Sequence, residues 1–335
     1  NKKAENLKGV AVVKTIVKQT RKELKGKVEK KDTEEFLTHQ AEKLLKEAAF
    51  QHGHPQALIL LANDELKKAN AALEKDKAES ERLLKSALDM YQRAGNQNSA
   101  EGWFNFGQLL WTGYPSMDSD DGTRNGDKNT FMIMKPDLKA SMEAFRNGID
   151  LGDPDAMYFV GVQYLSEDEG NKAGLELIQS AADLGHGPAR YYLALLHLNG
   201  NEPLGIVPCS AVDFVRYLNA ATETGNSDAL FLRGHCYHEG DSGYPRDYKL
   251  ALDDFIASAE GGNADAAVSA GAVLHSGRPG VKQDQKRAFE LYQLAGEMGS
   301  IEGWRNVIAC YALGEGVPKS EATAKYIAKT MLKDG

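Results

Sequence analysis

Tyr91–Asn105 reads YQRAGNQNSAEGWFN, and Tyr292–Asn306 reads YQLAGEMGSIEGWRN. A chain that writes nearly the same stretch twice, about two hundred residues apart, is built from repeats, so self-similarity comes before any other fold argument. Superposing the two stretches sets Asn98 opposite Gly299, and the same register then finds Gly53, Gly152, Gly185, Gly225 and Gly262. From Gly152 onward these marks are 33 to 40 residues apart. Four residues after each mark stands a small residue: Ala57, Gly102, Ala156, Ala189, Ala229, Ala266 and Gly303. Nine residues after come Ala62, Gly107, Gly161, Ala194, Gly234 and Gly271, with Ile308 the exception. Fifteen residues after, Gly113, Gly200, Gly240, Gly277 and Gly314 close the pattern.

Each mark has a physical reading. Gly or Asn after an apolar periodic stretch stops a helix by adopting a left-handed conformation. Ahead of it, small residues recur four back (Ala49, Ala94, Gly148, Ala181, Ala221, Ser258, Ala295). Large ones recur seven back (Tyr91, Phe145, Ile178, Leu218, Phe255, Tyr292), which makes one apolar helical face. The small residues at plus four and plus nine are expected to let a second helix lie close against the first, and the later glycine ends it. Such a hairpin cannot bury its apolar stripe alone; stacking completes the core. The expected fold is all-α, a superhelical α/α solenoid of about seven helix–turn–helix repeats.

This pattern, clearest in ALDDFIASAEGGNADAAVSAGAVLHSGRPGVKQD and RAFELYQLAGEMGSIEGWRNVIACYALGEGVPKS, resembles the Sel1-like repeat family, relatives of the tetratricopeptide arrays. The resemblance covers roughly residues 40 to 330, and it implies a protein–protein adaptor or assembly factor without enzymatic activity. Some cysteine-rich relatives are associated with β-lactam chemistry and carry paired cysteines bracketing the turn. Here those positions hold Gly95 and Trp103, Ala259 and Ala267, or Gly296 and Trp304, so that activity is not implied.

Charge divides the chain. Residues 1 to 31 hold eleven Lys or Arg against three Asp or Glu, whereas the whole chain has a net charge of −8. The basic arm, residues 1–39, with Lys14, Lys18, Arg21, Lys22 and Lys25 among Leu7, Val10, Val13, Ile16 and Val17, is a candidate contact for a protein, for RNA or for an anionic membrane. A structural subunit of an organellar or ribonucleoprotein assembly, with the arm on RNA phosphate, is the alternative function. The acidic body, residues 40–335, disfavours nucleic acid and favours protein partners with a basic surface.

An inserted loop, residues 114–137, interrupts the rhythm and ends in Phe131, Met132, Ile133 and Met134. Phe131, Met132 and Met134 either anchor this loop or enter a partner. Within it, DSDDGTRNGD lacks the ligand spacing of a calcium loop. RGHCYHEG brings His235, Cys236 and His238 together in sequence, but Cys236 and Cys310 share one repeat position, which reads as core filling rather than metal ligation. No metal and no cofactor is implied. Trp103 and Trp304 at equivalent places read as packing. Three cysteines and no glycosylation sequon fit a cytoplasmic or mitochondrial setting better than secretion, and no stretch is apolar enough to span a membrane. The first residue is Asn rather than Met, so removal of an upstream targeting segment stays open.

Overall fold

The computed structural model describes residues 30–115, 132–208 and 211–331, with side chains from residue 40 onward. Among these, every regular element is a helix. The chain divides into two compact units, residues 1–147 and 148–335. The first contains α1 (Lys30–Phe50), α2 (Pro55–Ala72), α3 (Lys77–Asn96) and α4 (Ala100–Thr112); α5 (Leu138–Asp150) runs across the division. The second contains α6 (Pro154–Glu167), α7 (Lys172–Asp183), α8 (Gly187–Asn199), α9 (Ala211–Thr222) and α10 (Ser227–Glu239). It continues through α11 (Tyr248–Glu260), α12 (Ala264–Ser276), α13 (Gln285–Glu297), α14 (Ile301–Leu313) and α15 (Glu321–Met331).

The turns follow one recipe. All seven marked residues have positive φ, from 60° to 96°, and Asn98 takes the conformation at 62° that glycine takes in the other six. In six of the seven turns the side chain of the next residue caps the following helix; His54, after Gly53, makes no such bond. Ser99, Asp153, His186, Asn226, Asn263 and Ser300 each accept a hydrogen bond from the backbone N–H three residues on, that of Gly102, Ala156, Ala189, Ala229, Ala266 and Gly303. Each cap satisfies one donor that a helix start would otherwise leave without a partner. His186 is an unusual member of this set. Its Nδ1 accepts from Ala189 N–H at 3.1 Å, which leaves Nε2–H to donate to the Asp155 carboxylate, also 3.1 Å away.

The core differs from the expectation in one respect. The small residue at plus four does face its own first helix: a Cβ on Gly303 would come within 2.8 Å of the Ala295 Cβ, and one on Gly102 within 2.9 Å of the Ala94 Cβ. The residue at plus nine instead faces the first helix of the next repeat. A Cβ on Gly107, Gly161, Gly234 or Gly271 would lie 2.5–2.8 Å from Phe145, Ile178, Phe255 or Tyr292, respectively. These four are the large residues seven back from the following turn. Removing a Cβ on one helix thus makes the socket for a bulky side chain on the next, a geometry that only repetition supplies. Phe145, Ile178, Leu218 and Phe255 are all at most 1% exposed.

Between repeats, the residue just after the later glycine forms an isolated β-bridge in three places: Tyr114 with Met134, Asn201 with Ile206, and Arg278 with Val281. The long insert is therefore an enlargement of the ordinary connecting loop. Past it, the backbone N–H of Asp137, Asp247, Asp284 or Ser320 donates to the carbonyl of Leu110, Tyr237, Leu274 or Tyr311, always twelve residues after the turn mark. The loop after Gly200 is tied back at Asn201, whose side-chain amide donates to the Glu169 carbonyl at 3.2 Å.

Candidate interaction surface

The helix-to-helix turns of residues 148–335 expose a repeated set of carboxylates. Two residues before each mark stand Asp150, Asp183, Glu223, Glu260 and Glu297; three residues after four of these marks stand Asp155, Asp228, Asp265 and Glu302. All nine are exposed. Few cations offset them. Arg305 meets Glu302 at 3.5 Å, while Arg190 turns inward and donates to the carbonyls of Ala182 and Ala220. Leu151, Leu184, Met298 and Ile301 lie on the same turns and stay exposed, Leu184 to 59%. The edge therefore combines negative charge with apolar contact area. Sequence reasoning found the acidic body but missed its concentration here, which counting charges by repeat position would have shown.

A second polar group is internal. Arg233 on α10 makes a two-pronged ion pair with Asp254 on α11, both bonds 2.8 Å. Its remaining donors reach the Thr222 hydroxyl at 2.7 Å and Asn219 Oδ1 at 3.3 Å, and the Tyr244 hydroxyl donates to the same Asn219 oxygen. The hydrogen bond to Asp254 holds the guanidinium pKa above its usual value, and burial pushes the Tyr244 phenol well up. Equivalent positions elsewhere are apolar: Leu61, Phe106, Val160, Leu193, Ala270 and Val307 for Arg233, and Leu45, Met90, Ala144, Leu177, Tyr217 and Leu291 for Asp254. The pair was legible as two simultaneous departures in adjacent repeats. Its bonds pin α9, α10 and α11 together.

His235, Cys236 and His238 diverge. His235 stands edge-on against Phe231 and Phe255, and burial, with the nearby His238, draws its pKa below the usual imidazole value. Cys236 is 4% exposed, and burial pushes its thiol up to about 11. His238 faces Glu239 and the Tyr248 ring. Among the described residues no three His, Cys, Asp or Glu side chains are grouped so as to hold a metal ion. Cys310 is likewise buried, 2% exposed. Tyr91 and Tyr292 are both buried, their phenols raised to about 12.

The residues singled out at the loop and arm fall as follows. Met134 exchanges two backbone hydrogen bonds with Tyr114, and its side chain and that of Ile133 pack on the core of the first unit. Met132 approaches Gly113 and is partly buried. Phe131, the segment DSDDGTRNGD and Cys209 lie outside the described residues, as do Lys14, Lys18, Arg21, Lys22 and Lys25. Trp103 and Trp304 each cover a glycine of their own first helix: a Cβ on Gly95 or Gly296 would meet the indole at 2.5 or 2.6 Å. No described helix is long and apolar enough to cross a membrane.

The repeat register coincides with a known one. Residues 150–186, 187–208, 227–263, 264–300 and 308–329 match the Sel1 repeat. The chain carries Sel1 repeats. The fold agrees with a Sel1 repeat protein from Oxalobacter formigenes, 20% identical, with a TM-score of 0.57 over 92% of this chain and 80% of that one. An immunity protein from Pseudomonas aeruginosa is 19% identical, with a TM-score of 0.45 over 72% of this chain and 83% of its own. A protective antigen of uropathogenic Escherichia coli displaying the same repeat fold is 16% identical, with a TM-score of 0.42 over 87% of this chain and 71% of its own. Among curated proteins none matches significantly. Sel1-repeat proteins generally mediate protein–protein interaction, and the Sel1 solenoid is typically a non-enzymatic scaffold.

Proposed function

We infer that this Sel1-repeat chain is a non-enzymatic adaptor that holds protein partners together, as an assembly or accessory factor of a larger complex. One observation carries this reading. Inside the repeats the residues seven back, four back, plus four and plus nine are held to a narrow set of sizes, while the turn edge outside them repeats exposed carboxylates and apolar side chains that packing does not use. A surface repeated along stacked hairpins suits an extended partner better than a small substrate. The acidic body favours a partner with basic surface, and the basic arm supplies a second contact.

Gentle crosslinking of the full chain in its own cells, followed by purification and mass spectrometry, tests the reading. A defined protein complex is expected, with part of it lost when residues 1–31 are deleted. Recovery of the chain alone and monomeric would refute the adaptor assignment.

A further inference from the structure

The carboxylates on the turn edge are not all explained by folding. Asp150, Asp183, Glu260 and Glu297 are the last residues of α5, α7, α11 and α13, and Glu223 directly follows α9. None of these five helices has a basic residue in its last turn. A helix C-terminus carries partial negative charge from its aligned peptide dipoles, so a carboxylate there is disfavoured and a Lys or Arg favoured. Five consecutive first helices thus end with the wrong sign of charge for their own stability. Asp155, Asp228, Asp265 and Glu302, at the starts of the second helices, do complement the dipole, and they extend the same negative edge. Residues that work against local stability, repeated at one position, point to a task outside the fold.

The apolar residues say what kind of task. Leu151, Leu184, Met298 and Ile301 are 40%, 59%, 37% and 47% exposed on these turns. A purely ionic ligand would leave them unused, and a nucleic acid would be repelled. We propose that the turn edge of residues 148–335 docks a segment of a partner protein in which Lys or Arg side chains alternate with apolar ones. The cations sit between the two carboxylate rows, and the apolar side chains cover Leu151 and Leu184 at one end and Met298 and Ile301 at the other. This assignment rests on the adaptor reading and names the surface and the chemistry of its partner.

The test uses the full chain and a labelled peptide of alternating Lys and Leu, read by fluorescence anisotropy. Combining Asp183→Asn, Glu223→Gln, Glu260→Gln and Glu297→Gln is expected to weaken binding about tenfold or more, from several surface ion pairs lost together. The thermal midpoint should hold or rise, because each substitution removes a charge opposed to its helix dipole. The pair Asp183→Asn with Glu297→Gln gives a smaller loss in the same direction should the fourfold variant fold poorly. A control with the same charge change on exposed residues off this edge, Glu167→Gln, Glu176→Gln, Asp253→Asn and Glu290→Gln, should stay within about twofold of the native chain. Equal weakening by both sets would overturn the proposal in favour of unspecific charge attraction. Equal binding of a Lys and Ser peptide would overturn its apolar part. A gain in affinity on deleting residues 1–29 would show that the chain's own arm is the occupant and overturn the partner assignment. Crosslinked complexes recovered equally from native and edge variants would sink the edge while leaving the adaptor reading standing; no complex from either would sink the adaptor reading itself.

Discussion

At the scale of single residues, the Arg233 and Asp254 pair is the sharpest departure from the repeat. The two side chains are 22% and 10% exposed, so their charges are largely out of water and depend on each other. Asp254→Leu alone leaves the guanidinium without its carboxylate and should cost about 3–5 kcal/mol in urea unfolding. The double variant Arg233→Met with Asp254→Leu restores what the other repeats have and should recover most of that loss. A double-mutant cycle showing additive effects would contradict the coupling. Cysteine reactivity belongs to the same scale. Cys236, its thiol raised to about 11, and Cys310, also raised, should resist iodoacetamide at neutral pH in the native chain and react once it is unfolded, as read by peptide mass mapping.

At the scale of elements, the Gly–Trp pairs set how closely two helices approach. Gly296 lies under Trp304 and Gly303 lies against Ala295, so α13 and α14 touch backbone to backbone near their turn. In the repeat before, Ala259 and Ala267 occupy the places of Gly296 and Trp304. Gly296→Ala would set a methyl group 2.6 Å from the indole and should destabilise by about 1–3 kcal/mol. Adding Trp304→Ala reproduces the neighbouring repeat's pair, and the clash term should vanish from the cycle, leaving only the lost aromatic burial. The opening near-copy of fifteen residues is thus explained by packing: Gly, Gly and Trp recur together because each makes room for another.

For the whole molecule, charge is the governing term. Residues 148–335 carry 15 Lys or Arg against 26 Asp or Glu, and few of the carboxylates on the turn edge have a cation within reach. Self-repulsion among them falls as salt shortens the Debye length, which is about 30 Å at 0.01 M and about 8 Å at 0.15 M. The thermal midpoint is therefore expected to rise across that range of sodium chloride, measured by circular dichroism. A midpoint that falls with salt would mean that favourable ion pairs, not repulsion, dominate the surface.

The sequence by itself determined the repeat register, the helical class and the interior, because a left-handed turn, a small residue at a close approach and a large residue seven back are local demands that few residue types meet. The glycine marks, the buried cysteines and the Trp packing were all readable as spacing. The caps after six of the seven marks were equally readable where Ser, Asp or Asn stands there, whereas His at that position caps at His186 and not at His54. Only the tertiary structure decided that the residue at plus nine serves the next repeat rather than its own, since sequence distance does not say which helix a face meets. It also decided that Arg233 and Asp254 find each other and that the carboxylates of separate repeats line one edge. Those are relations between residues 17 or more apart in sequence, and stacking alone brings them together.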